Sequence, residues 1–269
     1  MGEALRRLRD SRQARAKMNS LMDGAETTLV IHYSCESFYD RTDGRTPRVT
    51  SIAARNLSSG QTESFSIHKV AEQKHVPSNQ IDANYDDLEK EMLDEFFDFV
   101  RSHQQSSWIH WNMRDVNYGF AAIEHRYRVL SGNPFSIAES KKFDLARALV
   151  SIYGREYIGH PKLESLVDKN SITKRDFLLG KEEAEAFSKK EYIKLLQSTL
   201  RKVDTIANIF SHACDQTLQT DATWSSKYGS TPRVMVELIK ENWVWSAVGI
   251  VLTATTLTTL LARLSGWFL

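Results

Sequence analysis

The chain reads as an α/β protein with a mixed sheet, closed by one apolar helix near its C-terminus. Three features predict this: β-branched runs in the first third, helical periodicities alternating with short apolar runs after them, and a charge-free stretch close to the end. The first pattern suits neighbouring antiparallel strands, and the second suits strands reached through helices, so the sheet mixes both pairings and is covered by helices.

The strand signals begin at 27–33 (TTLVIHY), after the Asp23-Gly24 punctuation, and continue at 48–57 (RVTSIAARNL) and 62–68 (TESFSIH). Ser58, Ser59 and Gly60 supply turn chemistry between the last two, and the polar segment 40–47 joins the first two. From Tyr85 to His103 the apolar side chains Leu88, Met92, Phe96, Phe99 and Val100 recur at helical spacing. Residues 107–111 (SWIHW) then read as a short buried strand, and 116–130 as a helix ended by Gly132, Asn133 and Pro134. Phe143 and Asp144 open a further element that runs helically through Ala146, Leu149, Val150 and Tyr153, and a short helical patch follows at 163–167. Residues 182–213 read as one long amphipathic helix.

Composition limits the function classes. With 41% hydrophobic and 26% charged residues the chain is that of a folded protein, and 35 basic against 34 acidic residues give no overall field for nucleic acid or anionic lipid. Any such attraction must be local. Cys35 and Cys214 fit neither a disulfide framework nor a zinc site, which points to a reducing compartment. Residues 1–23 form a basic helix or arm (Arg6, Arg7, Arg9, Arg12, Arg15, Lys17) with no apolar run behind it, unlike a secretory signal. Arg6 occupies the position where N-myristoylation favours Ser or Thr.

The stretch 244–262, opening on Val244 and closing on Ala262, carries no charge. As a helix rising about 1.5 Å per residue it nearly matches the ~30 Å hydrocarbon core of a bilayer. Trp243, Trp245, Arg263, Trp267 and Phe268 sit where interface anchors sit. Lys227, Arg233 and Lys240 outnumber Arg263, so the large domain is expected in the cytoplasm. The expected organisation is therefore a basic arm (1–23), an α/β domain (24–214), a polar linker (215–242) and a transmembrane anchor (243–269). Ala254, Thr258 and Ala262 form a small-residue stripe through which a second tail, hence a homo-oligomer, is the expected partner.

Acidic residues recur at the ends of the expected strands. Ser34-Cys35-Glu36 closes the first strand, and His110-Trp111-Asn112-Met113-Arg114-Asp115, with Tyr118 beyond, follows the fourth. Lys142 to Arg147 comes next, and Thr199-Leu200-Arg201-Lys202-Val203-Asp204 lies on the long helix. In this order the segments resemble the motifs of DEDD-type 3′–5′ exonucleases, a family with a ribonuclease H-like fold. The resemblance spans roughly 27–211 and implies a site of Glu36, Asp115 and Asp204 as catalytic and metal-binding acids. It also shows two departures: Ser34 stands where the family has its first aspartate, and Thr199 where one branch has a histidine.

Two-metal phosphodiester hydrolysis needs several carboxylates around cations ~4 Å apart, with hard Mg²⁺ or Mn²⁺ as the expected ions. Ser34 removes one negative charge, and Thr199 accepts no proton at neutral pH. The resemblance thus implies a membrane-anchored module that binds single-stranded nucleic acid or a nucleotide with weak hydrolysis or none. The alternatives are a divergent metal-dependent exonuclease, and a tethered domain with an unused cleft that engages a protein partner. A structural account of the same acids makes Glu36 and Asp115 caps or salt-bridge partners and pairs Asp204 with Arg201 or Lys202. Asp144 is expected as a cap, and His110, Trp108 and Trp111 as core.

Overall fold

Eight consecutive buried residues, Thr28–Cys35, make β1 the spine of the sheet. In the computed structural model, which describes residues 3–36, 46–114 and 117–223, β1 pairs antiparallel with β2 (Val49–Asn56) and parallel with β4 (Ser107–His110). β3 (Thr62–Ser66) extends the antiparallel side and β5 (Lys142–Asp144) the parallel side, giving the order β3-β2-β1-β4-β5. The expected mixed sheet is present. A strand buried on both faces needs apolar residues in both registers, and β1 has them at its start, where Leu29 and Ile31 face one core cluster and Val30 the other.

The first cluster is built by α2 (Ile67–Gln73), α3 (Tyr85–Ser102) and α4 (Phe120–Val129). The second is built by α1 (Glu3–Asp23), α5 (Leu145–Tyr153), α6 (Lys162–Lys169) and most of α8 (Tyr192–Cys214). On α3 the buried side chains Leu88, Met92, Phe96 and Val100 keep the spacing that predicts the helix. Trp108 is fully buried and Trp111 nearly so, as core aromatics. The β2–β3 turn closes on Gly60 at φ +73, and the Asn56 Oδ1 accepts from the Ser58 and Ser59 amides.

Beyond shifts of one or two residues, three boundaries differ from the sequence reading. The strand expected over 62–68 stops at Ser66, because Ile67, Val70 and Ala71 bury one face of α2. The helix expected over 116–130 begins only at Phe120. The long helix expected over 182–213 is two, α7 (Gly180–Ser188) and α8, parted by Lys190 at φ +59. Such a residue ends a right-handed helix whatever the apolar periodicity on either side.

No described helix is long and apolar enough to cross a membrane. The expected anchor at 243–269, most of the linker, the turn 37–45 and Asp115 lie outside the described residues.

Candidate functional site

β1 alternates. With Tyr33 and Cys35 in the first cluster, His32 and Ser34 turn to the opposite face, beneath α8. In the sheet Ser34 pairs with Ser51 of β2, whose Oγ lies 2.7 Å from the Thr199 Oγ1. Thr199 also donates to the Leu195 carbonyl one turn back, so its hydroxyl is engaged within the helix and across to the strand. Both departures from the family pattern, Ser34 and Thr199, therefore sit in one place and are fully buried.

A buried ion pair lies alongside. Lys202, one turn after Thr199, places its Nζ 2.9 Å from the Glu183 Oε1 of α7, with side chains only 8% and 0% exposed. The Ser198 hydroxyl donates to the same carboxylate oxygen and accepts from the Leu178 amide. The His32 Nδ1 lies 3.3 Å from the Tyr118 hydroxyl, which also donates to the Tyr33 carbonyl. Burial, and then the Lys202 charge, hold the His32 ring well below its usual pKa. Burial also raises the Tyr118 phenol well above its usual range, with Tyr33, Cys35 and Glu183 adding to it. His32 Nε2, Ser34 Oγ and Glu183 Oε2 are buried with no hydrogen-bond partner among the described residues. Together these groups form a buried polar cluster in an otherwise apolar layer.

Of the three acids expected to converge, Asp115 lies outside the described residues, and Glu36 and Asp204 stand apart. Glu36 lies past the end of β1, where its carboxylate reaches the Arg48 amide at 3.4 Å. Asp204 pairs with Arg55 at 3.1 Å, and Arg55 also donates to the Gly60 carbonyl of the β2–β3 turn. Since Arg55 is the partner of Val30 at the opposite end of β1, the two acids flank the Ser34–Ser51–Thr199 contact from opposite sides. Glu36 is two strand residues away, about 7 Å. Asp204 is five helical residues away, about 7.5 Å in the other direction. One hydrated ion does not span that separation. Among the described residues, no three His, Cys, Asp or Glu side chains gather as metal ligands. Asp204 also pairs with neither Arg201 nor Lys202, because Lys202 points inward to Glu183.

Asp144 caps α5, accepting from the Arg147 amide, and it also holds the Asn112 amide and Arg114. His110 accepts from the Met113 amide and lies edge-on to Phe120, a core histidine. At the rim near Glu36, the start of β2 is clamped: the Glu89 carboxylate takes the Val49 amide at 2.7 Å and binds Arg126 through both oxygens, and the Tyr85 hydroxyl donates to the Val49 carbonyl. A separate groove of about 460 Å³, lined by Asn56, Gln61, Glu63, Phe99 and His103, opens at the other end of the sheet.

Comparison with family models, curated proteins and solved structures finds no match to this chain.

His32, Glu183, Ser198 and Lys202 were not singled out as site residues by the sequence. One signal was there: Ser198, Thr199 and Lys202 interrupt a face that otherwise carries Leu195, Val203 and Ile206. Glu183, on a different helix, left no such mark.

The two buried imidazoles give the fold a pH dependence. Burial pushes His110 down to about 4 from the ordinary 6.5, so between these values the unfolded chain binds a proton that the native state does not. Stability therefore falls as pH falls through that window, by on the order of 3 kcal/mol for His110. His32 acts in the same direction. Glu89, pushed up to about 7 by burial in spite of Arg126, acts in the opposite direction above 4.5. His110 and Glu89 are displaced by similar amounts in opposite senses and largely offset each other, so the lowered His32 sets the net sign. Urea unfolding at pH 4.5 and 6.5 is expected to show the higher stability at 6.5, with a smaller difference for His110→Gln.

Proposed function

We propose that the chain is an exonuclease-related module of ribonuclease H-like type, held at a membrane by its C-terminal segment, which binds a nucleic-acid end or nucleotide without hydrolysing it. The family part of this reading rests on the order of the motifs. It is supported by three successive antiparallel strands followed by two parallel ones reached through helices. The membrane part rests on the charge-free stretch 244–262.

The observation that carries the absence of hydrolysis is the Lys202–Glu183 pair beside Ser34 and Thr199. In the resembled family this is where carboxylates hold divalent cations. The residues present do not fit such ions. Ser34 and Thr199 are neutral, Glu183 is already engaged by an ammonium and a hydroxyl, and Glu36 and Asp204 flank the cluster from opposite sides. Two dications in such a cluster would face the Lys202 charge with little water to screen it. Among the described residues, Mg²⁺ and Mn²⁺ thus have no set of ligands through which a step could be derived.

A protein-interaction role is favoured by a different observation. His32, Ser34, Glu183 and Lys202 are between 0% and 6% exposed, which leaves no open cleft for a strand end at this point. One experiment separates the readings. The full chain in detergent is mixed with labelled single-stranded DNA and RNA, with and without Mg²⁺ or Mn²⁺. Retention of full-length oligonucleotide on the protein is the expected result. Metal-dependent shortening that disappears in Glu36→Ala and Asp204→Ala would overturn the proposal, and no retention of either strand favours the protein-partner reading.

A further inference from the structure

The exposed face of α1 is the charged surface that the proposed function leaves unused. The helix carries six basic residues against three acidic ones (Glu3, Asp10, Asp23). Met18 and Leu21 are buried in the second core cluster, with Ala14 and Met22 packed against it. Arg6, Arg7, Arg9, Arg12 and Lys17 are exposed, and Arg6, Arg9, Gln13 and Lys17 follow the three- and four-residue spacing of a single helical face. Asp10, 3.8 Å from Arg9 and itself about half exposed, is the acid nearest to this face on the helix.

The path of the chain adds a second observation. Arg15 lies over the Tyr153 ring, Tyr153 stacks on Tyr157, and the Tyr157 carbonyl accepts from the Asp221 amide at 2.7 Å. Asp221 is held further by Lys169, and Gln219 by Asn170. Lys162 covers the outer face of the Tyr157 ring. The last described residues before the apolar stretch are thereby fastened beside the middle of α1, with Arg12, Arg9 and Arg6 continuing the basic row. Only residues 224–243 separate this point from Val244. With so few residues between them, α1 stays at high local concentration near any bilayer that the tail enters.

We propose that the outward face of α1 docks on anionic lipid headgroups beside the tail, as a second contact between domain and membrane. This rests on the reading of 244–262 as a membrane anchor. Guanidinium groups pair with headgroup phosphates and carboxylates, and the cytoplasmic leaflet, on the side expected for the domain, is the one that carries negative charge. The contact is electrostatic, so it weakens with salt while the tail holds.

The full chain, with a donor fluorophore at Gln13→Cys in a Cys214→Ser background, is reconstituted into phosphatidylcholine vesicles bearing a headgroup acceptor, with and without phosphatidylserine. Energy transfer is expected to be higher with phosphatidylserine, and to return to the phosphatidylcholine level in high salt and in the Arg6→Glu, Arg9→Glu, Arg12→Glu variant. That variant is expected to keep the wild-type circular dichroism. Equal transfer in both lipids, from a chain that floats with both vesicles, overturns the docking alone. A chain that floats with neither overturns the anchor and the docking together. Loss of oligonucleotide binding in the triple variant, with energy transfer unmoved, assigns the face to nucleic acid and overturns the lipid contact.

Discussion

Arg126→Ala is expected to lower the unfolding free energy by about 3–5 kcal/mol, the range found when one partner of a buried ion pair is removed. Arg126 is 8% exposed and donates to both oxygens of the fully buried Glu89, and its Nη2 also reaches Asp86 at 2.6 Å. Without the guanidinium, Glu89 keeps only the Val49 amide as a partner. The anion is then left in a low-dielectric layer between α3 and β2. Two controls identify the cause. Below about pH 7, where burial already favours the protonated form of Glu89, the loss is expected to shrink. Glu89→Met combined with Arg126→Met, which removes both charges and keeps the volume, is expected to be far milder than Arg126→Ala. Denaturant titration of the three proteins gives the comparison, and a loss below about 1 kcal/mol for Arg126→Ala would show that the clamp does not hold β2.

Much of the fold could be read in advance because apolar periodicity reports burial directly. The stripe Leu88, Met92, Phe96 and Val100 predicts α3, and the β-branched run over 27–33 predicts a strand, which the structure shows buried on both faces. One error fell where a single backbone angle overrides the pattern. Lys190 at positive φ parts α7 from α8 although apolar residues continue on both sides. Asp144 was recognisable as a cap, since a short acidic residue immediately before a helical run has one favoured task.

The candidate site was less legible. Motif order drew attention to Ser34 and Thr199; Ser34 is the strand partner of Ser51, and Ser51 contacts Thr199. It also brought Asp204 toward Glu36, because spacing along a helix does not say which face a residue takes. Arg55, arriving from β2, draws Asp204 outward and toward the β2–β3 turn, while the inward place goes to Lys202. The Glu183 partner is 19 residues from Lys202 on a separate helix, a long-range pairing of a kind that no local pattern encodes.

Lys202→Met is the second substitution with a large expected effect. It leaves Glu183 fully buried with one oxygen bound only to Ser198 and the other without a described partner. The expected loss is again about 3–5 kcal/mol, most of it from the stranded carboxylate and little from the packing of the lysine stem. Methionine replaces that stem at similar volume against the Phe177 ring, which Lys202 now approaches at 5.4 Å. If the cluster is neutralised by its own ammonium, a second change that removes the carboxylate charge must recover most of the loss. Glu183→Gln does this and retains an oxygen for Ser198. The direct measurement is a double-mutant cycle on urea unfolding of Lys202→Met, Glu183→Gln and the pair. A coupling energy of about 2 kcal/mol or more, with the double variant close to the wild type, is the predicted result. Additive losses, with no coupling between the two positions, would contradict an internal ion pair at this centre.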